Sequence, residues 1–306
     1  MRGYVGNTDF DWYEFLRSRP DLGEVNFWQP SGSHAFHAVP AGAPFFFRLK
    51  KPHYAICGFG YLSYTDILPA WLAWDTFGEA NGAATREVMY RRIERYRPAE
   101  DVGKEYSIGC LMIVSPVFFE PSQWVREPND WHHNIVQGRS MDLTQGEGLR
   151  IWEECRLQAR AAEVLDEARA EGRKRFGELI QIRPRLGQGS FRIAVMEAYG
   201  RACAITTEHS LPVLESAHIK PYAKGGEHEI SNGILLRSDI HRLFDRGYVT
   251  VTNDFRFVVS ARLKEEFANG KSYYGLHGKQ LHVPAQQPQK PSSEMLIWHN
   301  ERCYRE

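Results

Sequence analysis

Two segments, Glu215-Ser-Ala-His-Ile-Lys-Pro221 and Asn232-Gly-Ile-Leu-Leu-Arg-Ser-Asp-Ile-His-Arg-Leu-Phe-Asp-Arg-Gly247, joined through a Gly225-Gly226 turn, decide the fold of the carboxy-terminal part of this 306-residue chain. Asn232 follows His218 by fourteen residues, and His241 follows Asn232 by nine. That spacing predicts one hairpin, with His218 at the end of a strand, followed by a helix over Asp239–Asp245 that His241 opens. His241 and Asp245 stand four residues apart, on one face of that helix.

A polar set so arranged points to phosphodiester hydrolysis, which needs a base for water, charge stabilisation at the phosphate and help for the leaving oxygen. His218 is the expected general base. Asn232 is expected to hold the loop and, through its amide, to orient the His218 ring, because an unoriented imidazole is a poor base. His241 is the expected metal ligand and Asp245 a second one, with pairing of Asp245 to Arg242 or Arg246 an equal alternative.

These residues resemble the HNH (ββα-metal) endonuclease superfamily. The resemblance runs through Tyr199-Gly-Arg-Ala-Cys-Ala-Ile-Thr206, Glu215-Ser-Ala-His-Ile-Lys-Pro221, Asn232-Gly233 and His241-Arg-Leu-Phe-Asp-Arg-Gly247, about fifty residues. It implies a catalytic set of His218, Asn232 and His241 and a divalent ion, Mg2+ or alternatively Mn2+ or Co2+. Two departures matter. Ala217 stands where many relatives carry a metal-binding Asp or His, so ligation must lean on His241 with Asp245, Glu215, the phosphate or water. The two Cys-x-x-Cys pairs of many relatives are replaced by Cys203/Thr206 and Arg237/Ile240, so no structural zinc is expected.

Around this core, Gly148 to about Ile180 reads as a charged linking helix, with Ile151, Cys155, Ala159 and Leu165 in a loose helical period. The loop Arg183-Pro-Arg-Leu-Gly-Gln-Gly-Ser-Phe-Arg192 has three arginines and no acidic residue, so Arg183, Arg185 and Arg192 are candidate DNA-phosphate contacts, with a solvated connector as the alternative. A helix is expected over Phe191–Tyr199. Further on come a strand over Phe255–Val259, a short helix near Leu263–Phe267 and an extended Pro284–Pro291 segment.

The first 145 or so residues are rich in aromatics, Gly and Pro. Short apolar runs at Phe45–Leu49, Tyr54–Tyr61 and Ile108–Phe119 read as strands, and Ala84–Arg97 as a helix, so the class is α+β. Aromatics among short strands usually fill a core, yet Trp28, Trp71, Trp74, Trp124 and Trp131 in this half leave room for a pocket that stacks an extruded base. The runs Phe27-Trp-Gln-Pro-Ser31, Phe47-Arg-Leu-Lys-Lys-Pro52, Gly58-Phe-Gly60, Ala73-Trp-Asp-Thr-Phe-Gly78 with Asn81-Gly82, Pro116-Val-Phe-Phe119 and Pro128-Asn-Asp-Trp131 resemble EVE-like domains of the PUA superfamily, small β-barrels that read modified bases. On that resemblance Trp28 and Trp74 are the expected stacking residues and Ser31 and Asp75 the polar readers.

The resulting organisation is an EVE-like barrel domain over residues 1–147, a helical linker over 148–190 and an HNH domain over 191–306. An EVE-like reader joined to an HNH nuclease resembles the modification-dependent, type IV-like restriction endonucleases. The expected partner is therefore double-stranded DNA carrying 5-methylcytosine or 5-hydroxymethylcytosine, flipped for inspection. Cutting both strands favours a homodimer. An HNH endonuclease for an unmodified sequence, and a catalytically impaired modified-DNA-binding protein, are the alternatives.

Composition agrees with such an organisation. At 306 residues the chain exceeds the usual single core. Net charge is zero, with 15 Lys/Arg against 18 Asp/Glu in residues 1–150, so any DNA site must be local. Five scattered cysteines suggest neither disulfides nor a zinc knuckle. No stretch approaches a membrane span, and the first residues lack a secretory pattern, so a cytoplasmic location is expected.

Overall fold

The computed structural model of the chain describes residues 1–132, 134–167 and 186–306. Its backbone divides into two compact units, Met1–Gly189 and Ser190–Glu306, and the class is α+β.

The first unit runs β1 (Arg2–Thr8), α1 (Phe10–Arg17), β2 (Glu24–Gln29), β3 (Pro44–Leu49), β4 (Ala55–Pro69), α2 (Ala70–Phe77), α3 (Arg86–Glu94), β5 (Ser107–Phe118), β6 (Val125–Arg126), β7 (Gly138–Asp142) and α4 (Gly146–Glu167). Its strands form one sheet in the order β2-β5-β4-β3-β1-β7, with β6 beside β4. Among the described residues only β1 and β3 pair in parallel.

Every residue of β3 is buried, because both faces of the sheet are covered and side chains alternate between them. Phe45, Phe47 and Leu49 enter an inner cluster with Trp12, Tyr13, Val25, Phe27 and Leu111. Phe46 joins an outer one with Val5, Ile56 and Phe59, capped by Ile151, Trp152 and Cys155 of α4.

The sheet is rolled. Two strands separate β2 from β3 in the ladder, a flat distance of about 14 Å at the usual spacing. Yet the rings of Phe27 and Phe45 lie 4.8 Å apart. The roll does not close into a paired barrel, for among the described residues no ladder joins β2 to β7.

Strand β4 outruns the expected Tyr54–Tyr61, continuing through Ser63-Tyr-Thr-Asp66 to Pro69 with irregular register near Tyr61 and Tyr64. Those polar residues hide a strand from apolar patterning, but Tyr64, Thr65 and Asp66 continue the ladder, opposite Met112, Leu111 and Cys110 of β5.

The second unit contains α5 (Gln188–Ala198), whose first two residues precede the boundary, then β8 (Leu214–His218), β9 (Gly233–Arg237), α6 (Ser238–Asp245), β10 (Val249–Val251), β11 (Phe257–Val259), α7 (Arg262–Phe267), α8 (Lys271–Tyr274) and α9 (Ser293–Arg302). Strands β8 and β9 form an antiparallel hairpin, and β10 and β11 a second one. The Pro284–Pro291 segment is interrupted by a short 3-10 turn at Gln287–Gln289.

Helix α6 buries Ile240 and Phe244, four residues apart, and leaves Asp245 exposed. Helix α9, which the sequence did not announce, holds the end of α6. The buried His299 ring stacks on Phe244 at 3.7 Å and 7°, and its Nε2 donates to the Phe244 carbonyl at 3.1 Å. Gly247, with φ of +75°, closes this corner, where a Cβ would fall 1.9 Å from the Cys303 carbonyl oxygen.

Burial lowers the His299 pKa from 6.5 to about 4, against a smaller opposing effect of the Phe244 hydrogen bond. A folded-state pKa below the unfolded one means stability that is full above pH 6.5 and lost as pH falls toward 4. The loss from this residue is on the order of 3 kcal/mol. Thermal unfolding followed from pH 7 to 4 is expected to show a decline that His299→Gln makes shallower by about one proton's worth. Equal slopes in the two proteins would refute the assignment.

Candidate active site

The hairpin of β8 and β9 and the helix that follows bring the polar residues of the Glu215–Gly247 stretch together. The register pairs His218 with Gly233 at the open end and Leu214 with Arg237 at the other. On β8 the side chains alternate. Ser216 turns toward α5, its Oγ donating to the Arg192 carbonyl at 2.8 Å, whereas Glu215 reaches α6.

His218 is half-buried, its ring stacked on Phe191 of α5 at 3.9 Å and 13°. Its Nε2 lies 3.1 Å from Nδ1 of His228, so one imidazole donates to the other and their tautomers are linked. Tyr222 stacks on His228 at 4.7 Å and 12°. Burial, and then the neighbouring His228 and His241, bring the His218 pKa down to about 4. The ring is therefore neutral near pH 7, able to accept a proton.

Asn232 is buried, and its amide is fully engaged. Oδ1 accepts from the Lys220 amide at 2.9 Å, and Nδ2 donates to the carbonyls of Lys220 and Glu227, each at 2.9 Å. The Asn232 carbonyl accepts from Ile219 N at 2.9 Å. The amide thus clamps the neck of the 219–231 loop. It does not touch the His218 ring, contrary to the sequence-based expectation, because backbone groups take all three of its bonds; Phe191 and His228 hold the ring instead. The Gly225-Gly226 turn fits this clamp. Gly225 has φ of +83°, and a Cβ on Gly226 would lie 1.9 Å from the Lys220 carbonyl oxygen.

His241 sits between two carboxylates, Nδ1 at 2.6 Å from Glu215 Oε2 and Nε2 at 3.3 Å from Asp245 Oδ2. Burial pulls its pKa down, but hydrogen bonds to Asp245 and Glu215 outweigh this and the net shift is upward. Asp245 thus faces His241, and among the described residues its ion pair is with that ring rather than with Arg242 or Arg246.

Oxygen donors beside an imidazole suit Mg2+, Mn2+ or Co2+. With Glu215 on Nδ1, the nitrogen left for a metal is Nε2, on the Asp245 side. Among the described residues no group of three or more His, Cys, Asp or Glu is arranged to hold a metal ion.

The other expected contacts are scattered. Arg183 and Arg185 lie outside the described residues. Arg192 is half-buried on α5. In the first unit Trp28 is half-buried on β2, its Nε1 donating to the Asn81 carbonyl at 3.1 Å, and its ring packs on the inner cluster. Ser31 is exposed, with its Oγ 2.7 Å from that of Ser33. Trp74, half-buried, and Asp75, exposed, lie on α2.

Phe191, His228 and Glu215 as the partner of His241 complete the arrangement. The sequence hinted at Glu215, two residues before Ala217 and so on the same strand face. His228 sits in a polar loop whose path no local pattern fixes.

Residues 203–252 match the family model described as HNH endonuclease, and the second unit therefore carries an HNH endonuclease domain. No curated protein matches the sequence. Among solved structures, the ASCH protein from Zymomonas mobilis aligns with 49% of this chain and 94% of its own at 12% identity and a TM-score of 0.32. Its Y47F mutant covers 48% and 95% at 11% identity and 0.30. The modification-dependent TagI restriction endonuclease aligns with 92% of this chain and 75% of its own at 11% identity and 0.29. Among the described residues no helix is long and apolar enough to cross a membrane.

Removing the clamp takes the partner from three half-buried backbone groups. Asn232→Ala is expected to destabilise the second unit by about 1 to 3 kcal/mol, as befits several half-buried hydrogen bonds. Hydrogen exchange should quicken first at the Lys220 amide, and unaltered protection there would contradict the clamp.

Proposed function

We propose that the protein is a modification-dependent restriction endonuclease that recognises modified cytosine in double-stranded DNA and hydrolyses phosphodiester bonds at the HNH site. The observation that carries the nuclease part is the pairing, on one ββα element, of a neutral His218 with a carboxylate-held His241.

In this reading His218 accepts a proton from the water that attacks phosphorus, and its depressed pKa keeps it available for that at neutral pH. His228 is a positioning residue that fixes the imidazole through the 3.1 Å contact, and Asn232 keeps the loop carrying it closed. His241 and Asp245 hold the metal, with Glu215 fixing the ring. What a divalent ion supplies there, when bound, is neutralisation of charge on the scissile phosphate and the leaving oxygen.

Recognition is assigned to the first unit. The support is the aromatic-rich EVE-like sequence pattern and the fixing of Trp28, whose N–H is tied to Asn81, leaving a rigid indole against which a flipped base can stack. Trp74, Ser31 and Asp75 are the remaining proposed reader residues, and Arg183, Arg185 and Arg192 the proposed phosphate contacts. One HNH site handles one strand at a time, so a double-strand cut calls for two copies of the chain.

The test uses matched plasmids with and without cytosine methylation, incubated with Mg2+, Mn2+ or Co2+. Cutting confined to methylated plasmid is expected, and His218→Ala should slow it about a hundredfold or more, as loss of a general base does. Trp28→Ala should weaken binding to methylated DNA selectively. Equal cutting of both plasmids would refute modification dependence, and a His218→Ala protein as fast as the parent would refute the base.

A further inference from the structure

Beside the metal-facing side of α6 lies a second, differently built feature. A cavity of about 450 Å3 opens between α6, α7 and the start of α8, within the size range of small-ligand sites. Its charged lining side chains are Arg242, Arg246 and Lys271, all exposed, and no Asp or Glu lines it. Its floor is apolar, formed by Leu263 and Tyr248, with Phe267 at the rim. Tyr248 is held from behind, its hydroxyl bonded to Glu266 and its ring beneath Arg305.

Two details argue for a built surface. Phe267 is 60% exposed, unusual for so large an apolar side chain, and Tyr248 meets it edge-on at 5.5 Å. The connection after it turns through two left-handed residues, Ala268 with φ of +54° and Gly270 with φ of +115°. A non-glycine residue there carries a conformational cost that packing must offset.

Placement on α6 supplies the link to chemistry. Arg242 and Arg246 each follow directly after His241 and Asp245, so the basic pair lies about 100° round the helix from the proposed ligands and in register with them. A strand entering the site from this side meets cations next to the scissile position.

We propose that this cavity binds one nucleotide of the cleaved DNA strand adjacent to the scissile phosphate, its phosphate on Arg242, Arg246 and Lys271 and its base against Phe267. The inference rests on reading the unit as a DNA nuclease. Lys271 and Phe267 lie beyond the family-matched residues 203–252. Three cations on an apolar floor complement a phosphate joined to an aromatic base, and the chain's zero net charge leaves affinity to such local groups.

The experiment measures binding of a short fluorescent unmodified duplex by the full chain, without metal, across a salt series, with a parallel cutting assay on cytosine-methylated plasmid in Mg2+. The double variant Arg246→Gln/Lys271→Gln should lower the salt slope by about 1 to 2 and weaken low-salt binding tenfold or more. Phe267→Ala should weaken binding roughly fivefold to a hundredfold with the slope unchanged. Matching melting temperatures would show that these exposed substitutions leave the fold intact, and Lys271→Gln alone serves if the double variant fails that control. An unchanged slope in a variant of a parent that cuts DNA overturns the cavity contact and leaves the nuclease reading standing. A reduced slope in a parent that cuts nothing does the reverse. No salt-dependent binding by the parent overturns the contact as well.

Discussion

The Asn232 side chain is the interaction on which the catalytic unit depends. One buried amide satisfies three backbone groups, on Lys220 and Glu227, at the neck of a loop that leaves β8 at His218 and returns at Gly233. Without it, those half-buried groups would lose their partner at the cost of unmade hydrogen bonds. The consequence reaches further than the loop. With the neck closed, the rung between His218 and Gly233 is the last of the ladder, His218 stops against Phe191, and β9 runs directly into α6. The position of His241 relative to His218 is thereby set by a hairpin register, where a slip of one residue would reverse every side chain on β8.

The first unit solves a different problem. A sheet with both faces buried cannot show the apolar-polar alternation of a half-exposed one, and β3, Pro-Phe-Phe-Phe-Arg-Leu, is its plainest product. Even Arg48 is buried there, ion-paired to Glu127 and bonded to Asn7 Oδ1 at 2.7 Å, with its guanidinium 4.6 Å from the Trp131 ring centroid. The aromatic abundance that suggests a base pocket therefore has a prior use. Phe27, Phe45 and Phe47 are core, whereas Trp28, the next residue on β2, is half-buried, packs against the margin of that core and donates its N–H to the Asn81 carbonyl.

What the sequence disclosed follows from how local each determinant is. The ββα element was legible because its residues fall within one contiguous stretch and its spacing encodes a hairpin and a helix directly. The strands at β3 and β5 were legible as apolar runs. The Asn232 clamp was legible in its loop-holding part and misread in its target, since which acceptors an amide meets depends on the loop's path. Helix α9 escaped notice because only Leu296 and His299 of Ser293–Arg302 are fully buried, too thin a stripe to mark a period, although those two residues buttress α6. Strand β4 was cut short because polar residues continue a ladder that backbone groups alone define.

Two histidines of one hairpin-helix element are driven in opposite directions, and the surroundings account for both. His218 has an aromatic face on one side and another imidazole on the other, so burial and the neighbouring His228 and His241 outweigh the smaller opposing pull of Asp245, and its pKa falls to about 4. His241 is buried as well, but Glu215 and Asp245 bracket it at both nitrogens, and the pair of hydrogen bonds overcomes burial. A substitution that exchanged these environments would leave both histidines in place and remove the division between them. That division separates a group suited to take a proton from one suited to be held by carboxylates and share their charge with a metal. Glu215 stands two residues before Ala217 and so on the same face of β8, where it fixes the His241 imidazole from the strand while Asp245 meets it from the helix.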